Sequence, residues 1–188
     1  MEAGGGRTET ARPERRAPRR ITADYLQRAA MYYLERYSAP AAQLRRVLAR
    51  KVNISCRHHG QETAAFEAML NEVVARCVAS GLVDDERFAQ ARAATLRRKG
   101  RSSRAVAASL SAKGVSGELA AQASSGSAED EMAAALKTAQ RKRLGPWNRG
   151  DRMVARQKDL AAMARAGFTM TIARAVIDGA GDEDLMER

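Results

Sequence analysis

The sequence predicts an all-α protein built from three tandem three-helix repeats. Two observations lead there. The apolar content is mostly alanine and leucine, with four prolines and 4% aromatics, a composition that suits helices and fits strands poorly. Two turns also look alike, Gly114-Val115-Ser116-Gly117-Glu118-Leu119 and Gly167-Phe168-Thr169-Met170-Thr171-Ile172, which points to a repeated unit.

Each turn has a mechanical reading. A glycine at the end of a helix takes the left-handed conformation, and the apolar residue after it packs back on that helix. The Ser or Thr that follows caps the next helix, with the same apolar residue serving as a hydrophobic staple. Residues Leu44 to Lys51, Val106 to Lys113 and Leu160 to Arg165 are then equivalent second helices, the first carrying an extra stretch around Asn53 to Gly60. The units run 22–80, 81–125 and 126–179.

Residues 1–20 hold six arginines, two prolines and almost nothing apolar, and are expected to form a disordered basic tail. Residues 180–188 form an acidic tail. Tyr25, Ala29 and Tyr33 share one helical face, and Leu44, Val47 and Leu48 the next. Ser38 is expected to cap that second helix, with Pro40 in its first turn. Thr63 to Ser80 carries the stripe Phe66, Met69, Leu70, Val73, Cys77 and Val78, closed by Gly81. Asp84, Asp85 and Glu86 open a further helix at its dipole-favoured end, with Phe88, Ala91, Thr95 and Leu96 facing inward. Ser127 and Asp130 form a capping pair after the seam Ser124-Ser125-Gly126.

Chemistry has little to work with. The chain has two histidines, no G-x-S-x-G nucleophile and no phosphate-cradling G-x-x-x-x-G-K-[ST] loop, so no enzyme and no cofactor is expected. Cys56, His58, His59 and Cys77 are zinc-type residues, but their spacing fits no usual scheme and Cys77 lies on an apolar stripe, so no metal is expected. Two cysteines make no disulfide framework. No apolar run reaches the length of a membrane span and no signal-peptide core follows the N-terminal arginines, so a cytoplasmic, membrane-free protein is expected. Trp147, between basic stretches, either stacks on a base or closes a hydrophobic edge, and the second reading is favoured.

Charge is the informative feature. Lys and Arg total 33 against 22 acidic residues, a formal charge of +11, which attracts polyanions. Arg92, Arg97, Arg98, Lys99, Arg101 and Arg104 form a stretch free of acid, and Lys137, Arg141, Lys142 and Arg143, followed by Arg149, Arg152, Arg156 and Lys158, form a second basic region. Cations favour helix C-termini, but these stretches exceed what capping needs.

Taken in order, Gly81-Leu82-Val83-Asp84-Asp85 with Phe88-Ala89, Lys99-Gly100-Arg101 through Leu110 to Lys113-Gly114-Val115, and Gly167-Phe168-Thr169 resemble the RecX family of regulatory proteins. The resemblance covers about Ala23 to Gly179. It departs from the family pattern at Leu82, where an aromatic is commoner, at Ala166, where an arginine is commoner, and in the 53–60 insertion. The resemblance implies an elongated, curved array of repeats that lies along the groove of the RecA–DNA filament and inhibits RecA without chemistry of its own. A monomer is expected, binding single- or double-stranded DNA only weakly and without sequence preference. Arg97 to Arg104 and Lys137 to Arg143 would line the filament-facing side. A helix-turn-helix transcriptional regulator is the alternative, because tight glycine turns also serve that motif.

Overall fold

A computed structural model describes residues 17–179, which form helices α1 (Ala23–Leu34), α2 (Ala41–His59), α3 (Glu67–Ala79), α4 (Asp85–Arg98), α5 (Ser103–Lys113), α6 (Gly117–Ser124), α7 (Ala128–Lys142), α8 (Arg152–Arg165) and α9 (Met170–Asp178). No strand occurs among the described residues. Three hydrophobic clusters follow one another along the chain. Leu26, Leu44, Leu48, Leu70, Val73 and Cys77 centre the first, Val106 and Leu110 the second, and Leu160, Met163, Phe168 and Val176 the third. Each is filled by three consecutive helices, so burial is assembled locally and repeated, the organisation of a helical repeat protein.

Local chemistry explains the helix ends. Thr22, Asp84, Ser102, Ser116, Ser127, Asp151 and Thr169 each accept a hydrogen bond from an amide of the helix they precede. Ser127 and Asp130 form the reciprocal capping box expected of them. The paired turns behave alike. Gly114 and Gly167 take φ of +93° and +94°, the Val115 and Phe168 amides reach back to the Leu110 and Met163 carbonyls, and both apolar side chains are buried.

Some expected details change. Ser38 does not cap α2: Pro40 stands at that position without a side-chain bond, and the Ala41 amide is capped from elsewhere. The helix expected over 63–80 opens with a 3-10 turn, Thr63–Phe66, before α3 begins. Val78 is exposed, because the buried line runs Leu70, Val73, Cys77 and residue 78 turns about 100° away from it. In α4 the inward residues are Ala89 and Ala93, flanked by Phe88 and Leu96. Ala91, two residues from each alanine, lies on the far side and is exposed. The 53–60 insertion is no separate loop but lengthens α2, whose far end holds the incoming chain. Ser55 donates to the Arg19 carbonyl, and His59 Nε2 is 2.9 Å from the Pro18 carbonyl. Of the expected basic tail, residues 17–20 lie within the described structure, with the Pro18 and Arg19 carbonyls held on α2; residues 1–16 and the whole expected acidic tail, 180–188, lie outside it.

The successive bundles are fastened by one joint used twice. At the first, Asp85 at the start of α4 accepts from the Ala41 amide at the start of α2 (2.8 Å), and the Gly114 turn lies against Ala42. At the second, Glu131 in α7 accepts from the Ser103 amide at the start of α5 (2.9 Å) and from the Ser103 hydroxyl (2.6 Å), and the Gly167 turn lies against Ser102 and Arg104. In each case a carboxylate from the following bundle meets the first amide of the preceding second helix, and a glycine turn packs on that helix's first turn. The preceding helix also caps the carbonyls of that turn. Arg46 donates to the Ala112 and Lys113 carbonyls, and Ser102 donates to that of Ala166.

At the far end, Arg156 donates to both Asp178 oxygens at 2.7 and 2.8 Å, and this hydrogen-bonded guanidinium holds the Asp178 carboxyl below the usual carboxylate range. A lowered folded value means that the bridge stabilises above about pH 4 and is lost as pH falls through the lowered value. The pair is solvent-screened, so the expected result is local. Amides of α9 should exchange faster once pH falls below the ordinary carboxylate range, beyond the intrinsic pH effect, while α1 to α6 hold their protection.

Candidate nucleoprotein interface

The basic residues fall into separate settings. Arg92, Arg97 and Arg98 project from α4, but not alike. Arg98 is exposed and bonds Thr95. Arg92 is half-buried. Arg97 donates to the Ser125 carbonyl at the end of α6 and lines a cavity of about 250 Å³ between α4 and α6 with Glu86, Ala93 and Leu119. It thus serves the second bundle itself, a use invisible in the basic run that contains it.

Lys99 and Arg101 lie in the α4–α5 turn, where the second and third bundles meet. Gly100 has φ of +72°, and a side chain there would lie 3.2 Å from Lys137 Cβ and Thr138 Oγ1. Thr138 Oγ1 donates to the Gly100 carbonyl and Arg141 to that of Lys99, so α7 lies directly on this turn. Lys99 and Arg101 from one basic stretch and Lys137 and Arg141 from the other are brought together here, 36 to 42 residues apart in sequence.

Beside this turn a shallow groove of about 600 Å³ separates α5 from the end of α8. Arg101, Arg104 and Arg165 line it, over a floor of Ala105, Ala108 and Gly167. All three arginines are exposed. Among the described residues the ion pairs are Arg45–Glu67, Arg87–Asp84 and Arg156–Asp178, and none draws on the ten cations singled out from the sequence or on Arg165. A groove with three unneutralised guanidinium groups above small side chains can clamp phosphates or carboxylates. Arg165 escaped the sequence reading because it stands alone between alanines, and only the Gly167 joint brings it to Arg101 and Arg104. Lys142 and Arg143, the latter with φ of +57°, end α7 and border a different depression, with Lys158.

Residues 84–123, from the α4 cap nearly to the end of α6, match the family model described as RecX, second three-helix domain. A protein named "Regulatory protein RecX" from Myxococcus xanthus (strain DK1622) is 42% identical over 181 residues, spanning 94% of this chain and 97% of that relative. The chain belongs to the RecX family. No solved structure matches it. In this RecX-family chain the matched segment is the bundle whose α4–α5 turn and α5 carry Lys99, Arg101 and Arg104, so those cations sit on the family's own three-helix unit rather than on an appendage.

The remaining chemical suspects have structural places. Cys56 and Cys77 are both in the first core, and burial pushes the Cys77 thiol upward. Both thiols are therefore expected to resist a thiol-specific disulfide reagent until urea unfolds the first bundle, when two equivalents should react. Trp147 packs half-buried on the third core, in the edge-closing role favoured for it. Asp159 is buried and spent on the Gly145 amide and the Asn148 side chain. Among the described residues no cluster of His, Cys, Asp and Glu could hold a metal, and no helix is long and apolar enough to cross a membrane.

Proposed function

We propose that this protein is a cytoplasmic, cofactor-free regulator that binds the RecA filament on single-stranded DNA and restrains RecA activities: filament extension, ATP hydrolysis and strand exchange. Recombination, DNA repair and the SOS response are the processes concerned. The observation that carries the reading is 42% identity to a regulatory protein RecX along nearly the whole length of both chains. The arginine groove between α5 and α8 supports it, because a partner made of DNA and protein offers both phosphates and carboxylates. We also read the chain as a monomer of three units, 22–80, 81–125 and 126–179, that acts by occupying a surface rather than by catalysis. The ten cations named from the sequence contribute unequally in this reading. Arg101 and Arg104, joined by Arg165, meet the filament, while Arg97 holds the second bundle together.

The test is RecA ATP hydrolysis on single-stranded DNA with increasing amounts of the protein. Hydrolysis should fall at near-stoichiometric additions, while binding to the same DNA without RecA should be weak and steeply salt-dependent. Undiminished hydrolysis together with tight, palindrome-dependent duplex binding would overturn the reading in favour of a helix-turn-helix transcriptional regulator.

A further inference from the structure

The joint that fastens the bundles is filled on α2 and on α5 and left open on α8. Asp151 caps α8 through the Met153 and Val154 amides, but no carboxylate from another bundle reaches the Arg152 amide among the described residues. The first-turn side chains stand in solvent. Met153 is 81% exposed and Val154 80%, the two most exposed large apolar residues described. At the filled joints the residues equivalent to Met153 and Val154 are Ala42 and Gln43 on α2, both half-buried, and Arg104 and Ala105 on α5, of which only the hydrophilic Arg104 is exposed. Two adjacent apolar side chains held out on a rigid helix are the composition of a protein contact and not of a phosphate contact.

The neighbourhood specifies the partner's charge. Val154 borders a depression of about 510 Å³ whose rim carries Lys142, Arg143 and Lys158, with Arg149 exposed in the loop just before α8. The two carboxylates beside it are already spent, Asp151 on its own helix and Asp159 on Gly145 and Asn148. The filled joints show what this position takes, a carboxylate on the first amide and a turn packed on the first-turn side chains. A second copy of this chain does not offer that shape. Its first bundle would present the α2–α3 turn, but α2 has 19 residues where α5 has 11, which carries Gly60 about 12 Å further out.

We propose that the first turn of α8 is a protein-docking site, in which Met153 and Val154 receive an acidic, apolar-tipped segment of the RecA subunit, as α2 and α5 receive the bundles that follow them. This rests on the RecA-filament reading and deepens it by assigning one end of the molecule to protein while the arginine groove faces the nucleoprotein polyanion.

The experiment uses the full chain with Met153→Asp and Val154→Asp together, acids that a helix N-terminus tolerates. Binding to RecA filaments on single-stranded DNA is compared with binding to the DNA alone, and thermal unfolding is followed in parallel. The expected result is a loss of at least about tenfold in filament binding, with less than about twofold change on DNA alone and an unchanged melting temperature. Carbodiimide treatment of the wild-type complex should join Lys142 or Lys158 to a RecA carboxylate, and the conservative Met153→Leu, Val154→Ile pair should bind filaments normally. Equal filament binding by wild type and the double Asp variant overturns the docking site alone. Equal loss on naked DNA makes this a nucleic-acid surface, and concentration-dependent self-association abolished by the variant makes it a copy-to-copy joint; either overturns the proposal. A wild type that fails to bind filaments removes the RecA reading beneath it.

Discussion

Replacing Gly167 by alanine should destabilise the protein by about 2–4 kcal/mol and loosen the third bundle from the second. Two costs combine. Gly167 sits at φ +94°, where an L side chain costs about 1–2 kcal/mol. Its new methyl would also lie 2.5 Å from Ser102 Oγ and 3.4 Å from Arg104 Cβ. Ser102 is fully buried and already committed, donating to the Ala166 carbonyl at 2.7 Å and accepting from the Ala105 amide at 3.2 Å as the cap of α5. Displacing its hydroxyl sacrifices a cap, about 1 kcal/mol, and removes the partner of the half-buried Ala166 carbonyl.

Two comparisons separate these causes. Gly81 has φ of +70° with nothing within 4 Å of a side chain there, so Gly81→Ala should show the backbone cost alone. In a Ser102→Ala background the added penalty of Gly167→Ala should shrink toward that of Gly81→Ala, because the clashing oxygen is gone. The readout is the urea midpoint at constant slope, together with exchange protection in α8 and α9. Equal effects at Gly167 and Gly81 would mean that the joint is not packed as described.

The same joint marks the boundary of what the sequence discloses. The turns at Gly114 and Gly167 were legible because glycine, apolar residue and hydroxyl stand within three positions and each acts on the helix beside it. The capping box at Ser127 was legible for the same reason. The joint was not, since Asp85 meets an amide 44 residues away and Ser102 a carbonyl 64 residues away. In sequence Asp85 is one more acid at a helix start. In the fold Asp84 caps α4, and Asp85 is free to cap α2. The α4 face was misjudged because alanine carries little signal of its direction: Ala91 looks as apolar as Ala89 and Ala93, and only packing against α5 and α6 distinguishes them. The basic stretches were visible as charge, but charge does not say which guanidinium is spent. Arg97 and Arg98 are adjacent, yet one is bonded to the end of α6 and the other is exposed and bonded only within its own helix, to Thr95.

That distinction sets the second large effect. Reversing Arg101, Arg104 and Arg165 to glutamate together should cut binding to RecA filaments by about tenfold or more at low salt and leave helicity and melting unchanged. All three side chains are exposed, and none is tied to an acid among the described residues. The helix-dipole terms nearly cancel: glutamate is favourable at 104 in the first turn of α5 and unfavourable at 165 in the last turn of α8. Loss of binding without loss of fold therefore reports the groove. Salt adds a second reading, since three fewer phosphate contacts should flatten the dependence of log affinity on log salt by about 2. Should the affinity fall with the slope intact, the groove grips protein carboxylates. Arg97→Glu is the contrasting variant, because it strips the Ser125 carbonyl of its guanidinium and places a carboxylate against it. It should lower the melting temperature while sparing filament binding below that temperature. Inhibition of RecA ATP hydrolysis by the triple variant at wild-type potency would disprove the groove's role, and the reverse pattern, with Arg97 critical for binding and neutral for stability, would return the interface to α4.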